Sequence, residues 1–119
     1  MTKVLFVDDD KDIIKILKGG LTKRGFEVDV YENPKEALLN FTPNVYDLVI
    51  LDVKMPEMNG YELYVELKKK DPDVKINFLT AFEFNPEDSE RFVSDLTGVI
   101  QKPVTIAKLV EIITEQIKK

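Results

Sequence analysis

Short apolar runs alternate with amphipathic stretches five times along this chain. Compact apolar runs bounded by polar residues predict strands, whereas apolar residues at spacings of three and four predict helices. The strands fall at Lys3 to Asp8, Phe26 to Tyr31, Asp47 to Asp52, Lys75 to Thr80 and Val99 to Lys102. Strands that are apolar on both faces and separated by helices belong in a parallel sheet covered on both sides, so the pattern predicts an α/β domain.

The intervening stretches carry helix punctuation. The first runs from about Asp10 to Arg24, with Ile13, Ile14, Leu17 and Leu21 on one stripe and Gly25 as its stop. Gly19 and Gly20 weaken its interior by about 1 kcal/mol each relative to alanine. The second opens on Asn33, Pro34 and Glu36 before Ala37, Leu38 and Phe41. The third follows Asn59-Gly60 and carries Tyr61, Leu63, Tyr64 and Leu67 until Asp71-Pro72 forbids continuation. A fourth begins at Pro86 with a thin stripe of Phe92, Val93 and Leu96. The fifth, capped by Thr105, places Ile106, Leu109, Val110, Ile113 and Ile117 on a core-facing stripe. With no repeat or linker between them, residues 1–119 are expected to form one domain.

Composition narrows the function more than the fold. Without cysteine, neither disulfides nor thiolate metal sites are available. Without histidine, no imidazole can activate a nucleophile or carry a phosphoryl group within this chain. A net charge of -5 opposes general affinity for nucleic acid or anionic lipid. The lysines at 68–70 and 118–119 are expected to close helices, where cations complement the negative end of the dipole. Met1-Thr2-Lys3 leads straight into an apolar run too short for a signal peptide or a membrane span, so a cytoplasmic protein with no membrane partner is expected.

In an open parallel sheet, ligands bind beyond the carboxyl ends of the strands. Those ends carry Asp8-Asp9, Asp52, Thr80 and Lys102, so polar groups from four strands are expected at one edge. Each has a plain alternative. Aspartates after a strand often cap the next helix, as Asp10 or Asp12 could, and a threonine is at home in a strand. Asp52 changes the weighing, because it ends the apolar run Leu48-Val49-Ile50-Leu51, where a lone buried carboxylate would be costly. Three carboxylates in one place need a cation, and hard oxygen ligands favour Mg2+. Pro103 restricts Lys102 to extended backbone and can aim its ammonium at those carboxylates. The loop from Val53 to Gly60 could add a backbone carbonyl as a ligand.

Taken jointly, Val7-Asp8-Asp9-Asp10, Leu51-Asp52-Val53-Lys54-Met55-Pro56, Asn59-Gly60, Leu79-Thr80-Ala81 and Lys102-Pro103 resemble the response-regulator receiver family of two-component signalling over essentially the whole chain. The resemblance implies a flavodoxin-like, doubly wound sheet of five parallel strands in the order 2-1-3-4-5 with five helices. It implies that Asp52 is the phosphoacceptor, that Asp8, Asp9, Asp52 and the main-chain carbonyl of Lys54 hold Mg2+, and that Thr80 and Lys102 contact the phosphoryl group. It also implies a sensor histidine kinase or phosphotransfer protein as donor, a downstream effector protein as target, and a signalling role rather than that of a conventional enzyme.

Two features depart from the family pattern. Val99 stands three positions before Lys102, where receivers commonly carry an aromatic switch residue. Phe82 and Lys54 occupy the positions that flank the path of attacking water, and a bulky Phe82 could slow hydrolysis. The aromatics of Phe82-Glu83-Phe84-Asn85-Pro86 suit core packing or a partner-facing surface equally. Other classes fit less well. A haloacid-dehalogenase-like phosphatase needs a second aspartate where Lys54 stands, a flavin module needs a phosphate loop where three aspartates stand, and a P-loop motif is missing. A degenerate receiver acting only as a protein-binding module is opposed by the complete set Asp8, Asp9, Asp52, Thr80 and Lys102.

Overall fold

A computed structural model describes residues 2–81 and 98–118. In chain order the elements are β1 (Lys3–Val7), α1 (Lys11–Lys23), β2 (Glu27–Tyr31), α2 (Pro34–Asn40), β3 (Leu48–Asp52), α3 (Gly60–Lys70), β4 (Ile76–Thr80), β5 (Gly98–Gln101) and α4 (Ile106–Ile117). The strands form one sheet in the order β2-β1-β3-β4-β5, with every neighbouring pair parallel. Five strands therefore stand where the apolar runs placed them, to within a residue or so. Four helices lie among the described residues, and α4 is the fifth of the sequence pattern. The helix expected from Pro86 and the segment Phe82 to Pro86 lie outside the described residues.

Local chemistry sets the helix starts. Asp10 accepts from the backbone N–H groups of Asp12 and Ile13 at 3.0 and 3.2 Å, which satisfies donors that α1 cannot pair internally. Asn33 caps α2 in the same way, with Pro34 at the first position. At α3 the bonding is reciprocal: Asn59 accepts from Glu62 N–H at 2.9 Å while the Glu62 carboxylate accepts from Asn59 N–H at 3.3 Å. Gly25 ends α1 at φ 91°, a left-handed conformation that side chains rarely adopt.

Alternation along the strands builds two cores. Leu5, Val7, Val49, Leu51, Ile76 and Phe78 pack with Ala37 of α2 and Leu63 and Leu67 of α3. On the opposite face Val4, Phe6, Leu48, Ile50, Leu79 and Ile100 pack with Leu17 and Leu21 of α1 and Leu109 and Ile113 of α4. Gly20 gains a purpose here that its helix propensity did not suggest. A Cβ on it would sit 2.6 Å from Ile106 Cδ1, so the bare backbone lets the first turn of α4 approach α1 closely.

Register then levels the strand ends. Val7 pairs with Leu51, Asp52 with Leu79, and Thr80 with Gln101, while Lys102 N–H donates to Thr80 O at 2.8 Å. Residues just past these pairs consequently share one edge. By the two-residue period, Asp8, Asp52 and Lys102 continue the face of Phe6, Ile50 and Ile100, whereas Thr80 continues that of Phe78.

Candidate functional site

The carboxylates of Asp8, Asp9 and Asp52 converge at that edge, each offering an oxygen within 4.8 Å of the other two. Asp8 and Asp52 are buried, at 1% and 7% exposure, and Asp9 is exposed. Asp10 takes the helix-capping role, which frees its two predecessors for other work. Asp8 Oδ1 accepts from Asp10 N–H at 2.9 Å, and its Oδ2 lies 2.8 Å from Lys102 Nζ. Lys102 Nζ is farther from Asp52, at 3.8 Å from Oδ1. The ammonium thus rests mainly on Asp8.

Electrostatics follow from that geometry. Burial, reinforced by the negative charge of Asp8, pushes the Asp52 carboxyl up to about 7, and Lys102 only partly opposes the rise. Contact with the Asp9 and Asp8 side chains adds to it. For Lys102, burial acts to lower the pKa, but pairing with Asp8 and the charges of Asp8, Asp52 and Asp10 outweigh it and the net shift is upward. The three clustered carboxylates carry more negative charge than the Lys102 ammonium offsets. Hard, clustered oxygens of this kind fit a small divalent cation such as Mg2+, with room for waters and an anionic ligand in its shell.

The flanking residues are held by the same edge. Thr80 is buried at the end of β4, one residue beyond the Asp52–Leu79 pair. The peptide bond between Lys102 and Pro103 is cis. Lys54 is exposed in the loop that follows Asp52, and Met55 beside it is buried. That loop folds back because Gly60 N–H donates to Val53 O at 2.8 Å, Met58 N–H donates to Pro56 O at 2.8 Å, and Glu57 adopts φ 70°. Gly60 is a site residue that the sequence marked only as the end of the loop before the third helix. A Cβ there would collide with the Asp52 carbonyl oxygen and stand 2.9 Å from Val53 Cα, so the loop can seat against Asp52 only around a glycine.

Val99, in place of the family's aromatic, is 40% exposed on β5 opposite Phe78. Beside the acidic cluster, Ile13, Ile16, Leu17, Leu79, Pro103 and Val104 line an apolar groove of about 420 Å³ that Lys102 borders. Ile16 is 64% exposed at its mouth. None of the described helices is long and apolar enough to cross a membrane.

Comparison with known proteins is consistent with this geometry. Residues 4–114 match the response regulator receiver domain. Response regulator SaeR of Staphylococcus aureus is 31% identical over 110 residues, which is 92% of this chain but 48% of that protein. A probable transcriptional regulator, ycf27 of Cyanidium caldarium, is 45% identical over 80 residues, covering 67% of this chain and 32% of its own length. The chain therefore spans half or less of these curated relatives. Among solved structures, the non-phosphorylated HemR receiver domain of Leptospira biflexa superposes with a TM-score of 0.90 at 28% identity, covering 100% of this chain and 96% of that one. Response regulator TrrA of Thermotoga maritima, determined in complex with Mg(2+)-BeF, gives 0.81 at 34% identity over 98% of this chain and 99% of that one.

Proposed function

The chain belongs to the response regulator receiver domain family, and we propose that within it Asp52 accepts a phosphoryl group in a Mg2+-dependent step that switches a protein-interaction surface. The observation that carries this reading is the gathering of Asp8, Asp9 and Asp52 within 4.8 Å at one sheet edge, with Lys102 3.8 Å from Asp52. An oxygen of ionised Asp52 attacks phosphorus, the bond to the donor group breaks, and that group leaves with the electron pair. Asp8, Asp9, Asp52 and the main-chain carbonyl of Lys54 would hold Mg2+. When bound, the ion supplies positive charge to the phosphoryl oxygens and holds the Asp52 carboxylate ionised. Lys102 pairs with one phosphoryl oxygen, and the Thr80 hydroxyl donates to another. Alignment and charge neutralisation are what phosphoryl transfer demands, so the lack of histidine is no handicap.

Phosphodonor proteins would be a sensor histidine kinase or a phosphotransfer protein, docking where the apolar groove borders Lys102. A downstream effector would read the change, in the cytoplasm and without direct nucleic-acid contact by this domain. Val99 calls for a switch without the usual aromatic ring. Incubation with Mg2+ and acetyl phosphate, followed by intact mass, tests the central step. One added phosphoryl mass is expected on the parent, and none on Asp52→Asn or in the presence of EDTA. No addition to the parent would leave the degenerate, binding-only receiver as the better description.

A further inference from the structure

One polar residue in the core is used by none of this chemistry. Asn77 is the second residue of β4 and has no exposed surface, and both its amide nitrogen and its amide oxygen are without a hydrogen-bond partner among the described residues. A buried amide in that condition is rare, because it gives up hydration with no return. A second orphan is the buried Oε1 of Gln116, in the last turn of α4.

Topology brings the two toward each other. The alternation of β4 puts Lys75, Asn77 and Leu79 on one face, and Leu79 packs in the core that contains Leu109 and Ile113 of α4. Lys75 Nζ donates to Gln116 O at 2.9 Å, so the end of α4 sits over the start of β4. Asn77 is two residues further along the strand, about 6.6 Å at the usual rise. Helical side chains lean toward their own N-terminus, and for α4 that direction runs from Lys75 toward Asn77. Gln116 also follows Ile113 by three residues, on the stripe that faces the sheet.

We propose that the Asn77 and Gln116 amides act as one polar pair bridged by a single water, fastening the C-terminal turn of α4 to β4. Such a latch would couple the strand that carries Thr80 to the last helix, and it stands whether or not Asp52 is phosphorylated. Asn77 supplies the donor and Gln116 Oε1 the acceptor that each lacks. Losing one member strands the other, whereas losing both removes the polar cost together.

A double-mutant cycle in urea on the full chain, with Asn77→Leu, Gln116→Leu and the double variant, tests this. The unfolding equilibrium constant of the double variant should depart from the product of the single effects by about threefold or more, on the stabilising side. Agreement with the product within experimental error would overturn the proposal. A second measurement needs no variant: in the labelled parent protein, the Asn77 side-chain NH2 should show cross-relaxation to a long-lived water that also contacts the Gln116 side chain. An Asn77 NH2 group with no such water would overturn the proposal as well.

Discussion

The two edges of the sheet treat their carboxylates in opposite ways. Toward the amino edge the carboxylates of Asp71, Asp47 and Asp29 meet donors supplied by the fold. Asp71, buried at 5% exposure, accepts from Asn44 N–H at 2.9 Å and Asp73 N–H at 3.3 Å. Asp47 accepts from Lys3 N–H at 2.8 Å, and Asp29 accepts from the Tyr46 hydroxyl at 2.7 Å; burial, reinforced by that bond, holds the phenol well above its ordinary range. At the carboxyl edge Asp8 and Asp52 share Lys102, Asp9 offers an oxygen within 4.8 Å of theirs, and Asp52 is left with its carboxyl raised toward neutrality. Satisfied charges make joints between loops. An acidic cluster left in surplus beside a groove is costly to the fold and is therefore a mark of function.

The largest effect expected is at Gly60. Gly60→Val drives a side chain into backbone rather than into a movable side chain, so it should cost on the order of 3 kcal/mol or more in urea unfolding and should impair phosphorylation of Asp52. A loss below about 1 kcal/mol would show that the Val53–Asn59 loop is free to retreat.

Next comes Asp52 itself, where pH separates the two edges. Its folded pKa, about 7, exceeds the ordinary 3.8, so the folded protein holds this proton more tightly than the unfolded chain between those values. The Asp52 contribution to stability therefore falls as pH rises from about 4 to about 7, and its cost is fully present above that. In EDTA, Asp52→Asn should be more stable than the parent at pH 8 by on the order of 2 kcal/mol, and that gain should shrink toward zero near pH 4. A parent that is the more stable of the two at pH 8 would contradict the account of the carboxyl edge.

Asp71→Ala probes the amino edge with the same type of residue and the opposite sign. It leaves Asn44 and Asp73 N–H groups without their acceptor, so a loss of about 1–2 kcal/mol is expected at neutral pH, with phosphorylation by acetyl phosphate unchanged. Altered phosphorylation in a folded Asp71→Ala would break the division of labour between the edges. The smallest effect is reserved for Lys75→Met, which removes one hydrogen bond to Gln116 O and should lower stability by about 0.5–1 kcal/mol, read as a small fall in the urea midpoint.

Much of this molecule was legible before any coordinates. The caps at Asn33 and Thr105, the helix start at Asn59-Gly60 and the stop at Gly25 depend on groups within a few residues of one another, and they formed where the pattern placed them. The placing of Asp8, Asp9, Asp52, Thr80 and Lys102 at one edge was legible because ligands of a parallel sheet meet its strand ends there. The amino-edge joints were not. Asp29 and Tyr46 are 17 residues apart, Asn44 and Asp71 27, and Lys3 and Asp47 44, so the pairing depends on register between elements rather than on local spacing. The lysines of α3 show the same limit. Lys68 donates to Val74 O at 2.6 Å and Lys70 to Leu38 O at 2.7 Å, so they bind carbonyls outside their own helix, beyond the capping role that position alone suggested.

For the acidic cluster, the sequence alone determined its membership: hydrophobic periodicity sets which residues end a strand, and that is a one-dimensional property. Tertiary structure decided the rest. It chose Asp10 over its neighbours as the cap, seated Lys102 on Asp8 in preference to Asp52, and required a glycine at position 60 against the Asp52 carbonyl. Those outcomes turn on distances of an ångström between atoms from different elements, and only packed, registered strands specify distances on that scale.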